Sequence, residues 1–192
     1  AVAGFPAAAA ADSTMTSPPP ESEMATYVVV LLNKGPAWST AAPDEAARQQ
    51  RDHEAYVGQQ ARTGTMRGAG TVEGTGDLRE IVIIADDSVS RVRGVLENDP
   101  AVRAGRFTPT LLPWWAAKGI GERFVDAVLA GREQTLAPRT YQFGFLVRGP
   151  AWTPELTREV ERIQAGHMAN INRLAAEGVL VAAGPFVNGG TY

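Results

Sequence analysis

The sequence predicts an α+β fold in which a β-α-β-β-α-β unit occurs twice, and three observations carry that expectation. Short β-rich apolar runs alternate with helical stretches instead of clustering by type. Gly and Pro punctuate the boundaries between them. Displacing the chain by 114 positions superposes residues 27–78 on 141–192 without a gap, with 16 identities among 52 pairs.

In the first copy, residues 27–32 form an apolar strand ended by the turn residues Lys34-Gly35-Pro36. Residues 43–63 lack strand alternation and breakers, and Gly64 stands where a helix C-terminal cap belongs. Residues 66–72 and 80–85 read as a hairpin about Gly74-Thr75-Gly76-Asp77. Ser88 is a good N-cap for a second helix carrying Val89, Val92, Val95 and Leu96, which Asn98-Asp99-Pro100 stops. Residues 107–115 supply the last strand. Two β-α-β halves joined this way are the ferredoxin-like split βαβ pattern, an antiparallel sheet with both helices on one face.

Ile120, Phe124, Val125, Val128 and Leu129 share a helical face, so 116–140 reads as a linker helix with an extended tail after Gly131. In the second copy Thr153 is expected to cap a helix with Pro154 at its first position. Leu156, Val160, Ile163, His167, Ile171 and Leu174 then line one face, which places His167 toward a sheet. The copy stops before its third strand, so residues 141–192 read as a truncated unit with a turn beginning near Gly189. Each sheet leaves one face without helices, and the two copies are expected to cover those faces mutually, as an intrachain pseudo-dimer or through a homodimer.

Composition narrows the functional classes. A formal charge of −3 and a pI near 5.5 supply no basic field for nucleic acid. With no cysteine, disulfides, thiolate nucleophiles and Cys-based metal sites are excluded. No apolar run is long enough to span a bilayer. Residues 1–25 open with an Ala-rich stretch followed by Ser, Thr, Pro and Glu, the look of a signal-peptide remnant and spacer; export to the periplasm or medium is the expectation, a cytoplasmic location the alternative.

The two histidines of the chain, His53 and His167, occupy one repeat position. A histidine on an apolar face is more often a satisfied core residue than a functional one, but imidazole is also the side chain most readily moved between acid and base near neutral pH. Gly-rich pieces such as Gly68-Ala69-Gly70 lack dinucleotide or phosphate-loop spacing and read as turns. The loops ending in Trp38 and Trp152 could present a cation, Lys34 or Arg148, and an aromatic to a ligand; anchoring of the helix entry is the stronger reading.

The first copy, residues 26–115, resembles the YCII-related (YciI-like) family. The residues that carry the likeness are His53-Glu54-Ala55-Tyr56, Gly64, the strand Ile81-Val82-Ile83-Ile84-Ala85, and above all the Asp-Pro-x-x-x-Ala-Gly-x-Phe stretch from Asp99 to Phe107 before Pro113-Trp114. The resemblance implies a dimeric α+β barrel and a His/Asp dyad, here His53 and Asp99, in a small-molecule pocket. A carboxylate on one ring nitrogen would fix the tautomer and leave the other nitrogen to exchange a proton with substrate. Asp99 also has a bland reading as a helix-terminating Asp-Pro turn. The sequence departs from the family at Gly70-Thr71, where a Gly-Pro pair is usual, and this puts the pocket wall in question.

The expected function is therefore a small-molecule lyase or isomerase, with no cofactor or metal called for. His53 and Asp99 would be catalytic, and Lys34, Trp38 and His167 the candidate substrate contacts. The alternative is a non-catalytic ligand-binding or assembly module.

Overall fold

The computed structural model describes residues 23–187. The expected leader lies outside the described residues except for its last three positions, and the expected turn near Gly189 lies outside them altogether.

A four-stranded antiparallel sheet is built from β1 (Met24–Lys34), β2 (Met66–Thr71), β3 (Leu78–Ile84) and β4 (Phe107–Ala117), in the order β2-β3-β1-β4. Strand β1 is longer than its apolar run because β4 pairs with it along its whole length, from Met24↔Ala117 to Lys34↔Phe107. That pairing draws Met24 and Ala25 into the sheet, two residues inside the span expected to be leader.

Alternation along β1 explains the two cores. Val28, Val30 and Leu32 point to one face and pack with Met66, Val82, Ile84, Val92, Leu96 and Phe107 beneath the helices. Tyr27, Val29 and Leu31 point to the other face and pack with Trp114 and Ala116. Both faces of β1 are thus out of water, which is why its sequence reads as a continuous apolar run. Burying each such side chain contributes about 1.5–3 kcal/mol, so a charge at Val30 would remove the centre of the helix-side core.

Helix α1 (Pro43–Ala61) starts with Pro at its first position and acidic residues in its first turn, where missing N–H groups and the helix dipole favour both. Its inward residues Gln49, His53, Val57 and Ala61 recur every four positions. Helix α2 (Val89–Leu96) begins as expected at Ser88, whose side chain accepts a hydrogen bond from the Arg91 N–H. One further turn, α3 (Pro100–Arg103), follows and is capped by Asp99. Helix α4 (Glu122–Leu129) turns Val125, Ala127 and Val128 inward.

The second half departs from expectation. Helix α5 (Arg158–Ala176) is capped by Thr157, which accepts from the Val160 N–H at 3.2 Å, and not by Thr153. No residue of α5 is buried, and His167 is exposed. Residues 141–149, expected as the opening strand of a second unit, join no strand ladder. The helix-free face of the sheet is nevertheless partly covered from within the chain: Phe145, Ala182 and Phe186 pack against it. The backbone joins as well. The Trp115 N–H donates to the Pro185 carbonyl (3.0 Å), the Val187 N–H to the Pro113 carbonyl (2.8 Å), and the Trp114 indole N–H to the Gly184 carbonyl (2.9 Å). The Gly184 backbone lies so close to β4 that a Cβ there would sit 2.0 Å from the Trp115 carbonyl oxygen.

Candidate active site

Three elements bring one charged residue each to the helix-side face of the sheet. His53 comes from the inward stripe of α1. Glu80 comes from β3, on the same side of that strand as Val82 and Ile84, both of which lie in the core under the helices. Asp99 comes from the connection between α2 and β4.

Asp99 is fixed by the backbone before it meets histidine. Its Oδ1 accepts the Ala101 N–H at 2.8 Å, capping α3, and this aims Oδ2 at the ring, 2.6 Å from His53 Nδ1. The His53–Asp99 contact implied by the resemblance is therefore made, and Asp99 caps a helix at the same time. On the far side of the ring, Glu80 Oε2 lies 3.0 Å from His53 Nε2. Glu80 was not singled out from the sequence. The nitrogen expected to be open for substrate is occupied by its carboxylate.

The cluster is almost dry: His53 is 1%, Asp99 2% and Glu80 7% exposed. Burial pushes the imidazole toward its neutral form, but the hydrogen-bonded carboxylates of Asp99 and then Glu80 outweigh it, and His53 is raised from 6.5 to about 9. At neutral pH both ring nitrogens accordingly carry protons and donate to the two carboxylates. Phe107 closes one side of the ring at 5.0 Å between centroids. Tyr56 donates to the Val95 carbonyl at 2.7 Å, and its hydroxyl is held above its usual range by burial and by the charge of Asp99.

A cavity of about 220 Å3 opens over the Glu80 side of the cluster, between α1 and the β2–β3 hairpin. His53 and Glu80 form part of its floor, Gln50, Glu54 and Val57 one wall, and Ala69, Gly70 and Thr71 the other. The Gly70-Thr71 departure thus lies in the wall itself. Asp99 is not among the lining residues. Of the three charged groups, Asp99 stands behind the ring and Glu80 meets the cavity.

The remaining site expectations fare differently. Lys34 turns to Asp77 at 3.8 Å, and neither Lys34 nor Trp38 lines the cavity. His167, on exposed α5, takes no part in the cluster, which corrects its expected orientation toward a sheet. Among the described residues no set of three or more His, Cys, Asp or Glu side chains is arranged to hold a metal ion, and no helix is long and apolar enough to cross a membrane.

No family model matches the chain, and no curated protein does. Among solved structures, the 5-chloro-2-hydroxyhydroquinone dehydrochlorinase of Burkholderia phenoliruptrix AC1100, in complex with 2,5-dihydroxybenzoquinone, is similar over 45% of this chain and 89% of its own, at 18% identity and a TM-score of 0.34. A likeness this low in identity and superposition bears on neither reaction nor substrate.

Proposed function

We propose that residues 26–115 are a YCII-related domain acting as a small-molecule lyase or isomerase, in which Glu80 exchanges a proton with the substrate and His53, oriented by Asp99, holds the complementary charge behind it. One observation carries the reading. A buried histidine is clamped between two carboxylates, and only the cavity-side carboxylate can touch a ligand. The imidazolium donates to Glu80 and fixes the position of its side chain at the floor of the cavity, where it serves as the base. Glu80 would take a proton from carbon. The freed electron pair would then expel a leaving group with its bonding electrons, or be captured by the same proton returned at a neighbouring carbon. The first outcome is elimination, the second isomerisation.

The test is proton exchange in deuterated water. The protein is incubated with a panel of small enolisable ketones and β-substituted carbonyl compounds, and loss of C–H signal is followed by proton NMR. Exchange by the wild type that Glu80→Gln abolishes supports the proposal.

A second reading, a non-catalytic ligand pocket, is favoured by the 1% exposure of His53 and the full occupation of its ring nitrogens. Ligands that bind in the same panel with no exchange at any pH would establish that reading instead.

A further inference from the structure

Among the described residues Arg106 is the one buried arginine, 9% exposed, and no carboxylate lies within ion-pair distance of it. A guanidinium taken out of water without an anion is costly, and native folds normally pair it. Here its Cζ lies over the Trp38 ring, 4.2 Å from the centroid, while the Phe107 centroid is 5.8 Å away. A cation–π contact consumes no N–H donor, so the guanidinium keeps its hydrogen-bonding capacity. The Nε is buried without a partner. The two terminal nitrogens form no hydrogen bond with any described residue and are not among the buried unpartnered atoms, so the residual exposure of Arg106 includes the tips of its fork.

The support behind the fork is rigid. The Gly35 N–H donates to the Arg106 carbonyl at 2.8 Å and the Ala37 N–H to the Gly105 carbonyl at 2.9 Å, stitching the Trp38 loop to the start of β4. A Cβ on Gly35 would sit 2.2 Å from the Gly105 carbonyl oxygen, so this approach requires glycine. The second copy repeats the arrangement by another route. Arg148, at the position equivalent to Lys34, lies 4.1 Å over Trp152. In the first copy Lys34 pairs with Asp77 and the cation over the tryptophan comes from the residue just before β4 instead.

We propose that Arg106 on Trp38 is a binding site for the carboxylate of a small organic acid, gripped end-on by the two terminal nitrogens. The planar two-donor fork matches a planar two-acceptor anion, and a lone guanidinium balances a single negative charge. Neither residue lines the cavity beside Glu80, so the site stands independently of the acid–base reading.

Benzoate is the probe and benzamide its neutral counterpart, each titrated against the full chain with tryptophan fluorescence as the readout. The expected result is a saturable response to benzoate, none to benzamide, loss of that response in Trp38→Phe, and at least tenfold weaker binding in Arg106→Gln. Arg106→Lys retains the charge without the fork and is expected to weaken benzoate severalfold while preserving the wild-type circular dichroism. His53→Gln is expected to bind benzoate as the wild type does, so loss of proton exchange there leaves this site untouched. Equal responses to benzoate and benzamide, no saturable response in the wild type, or wild-type affinity in a folded Arg106→Gln or Arg106→Lys protein would overturn the proposal.

Discussion

Asp99 spends its two carboxylate oxygens on different partners: Oδ2 on His53 Nδ1 at 2.6 Å and Oδ1 on the Ala101 N–H at 2.8 Å. Its two roles are separable by mutation. Asp99→Asn keeps a side-chain acceptor for the cap but loses the charge, while Asp99→Ala loses both. We expect Asp99→Ala to cost about 3–5 kcal/mol, the usual penalty for breaking a buried ion pair, with Asp99→Asn milder by about 1 kcal/mol, a typical cap contribution. Urea denaturation of the two variants checks the order; equal losses would show that the cap contributes nothing.

Stability is expected to fall as pH rises. The folded-state pKa of His53, about 9, lies above its ordinary value of 6.5, so the native state holds a proton that the unfolded chain releases. The stabilisation is complete below about 6.5 and is lost as pH climbs through 9. Its size is on the order of 3 kcal/mol. Denaturation midpoints measured between pH 6 and 10 should decline for the wild type and stay nearly flat over that window in His53→Gln.

The two histidines should differ sharply. His53→Ala leaves Asp99 and Glu80 buried without the cation between them, and a loss of about 3–5 kcal/mol is expected. His167 is exposed on α5, and His167→Ala should change stability by no more than about 0.5 kcal/mol and leave any proton exchange intact. Paired thermal melts decide this directly.

Covering of the second sheet face is testable at Phe186, which packs there beside Phe145 and forms a bridge with Trp114. Phe186→Ser should loosen the segment, raise binding of a hydrophobic dye and speed amide exchange at Val187 and Trp115, whose N–H groups span the join. An unchanged exchange pattern would show that Phe186 does not hold the segment.

The order of elements in residues 24–117 was legible because strand alternation, helix caps and breakers agreed with one another. His53 and Asp99 were legible through the motif around them. Glu80 was not, although its signal is simple: it shares parity with Val82 and Ile84, and a charged residue on the core side of a strand asks for a buried partner. For α5 the apolar stripe was visible, but amphipathicity says only that a face favours burial, not what covers it. Arg106 carried no pattern of its own. Its place over the Trp38 ring depends on two loops, far apart in sequence, that meet only in the folded chain.

The clamp on His53 draws on α1, β3 and the turn before β4, which are separated by 27 and 46 residues of chain and assembled only by the pairing of β1 with both β3 and β4. No piece that lacks either β3 or the Asp99 turn can therefore hold both carboxylates on the ring. A titration of the protein with denaturant, watched through the His53 ring resonances, should lose the clamped signal at the same denaturant concentration as the whole sheet. The imidazole would then report on the cooperativity of the domain as faithfully as any core residue.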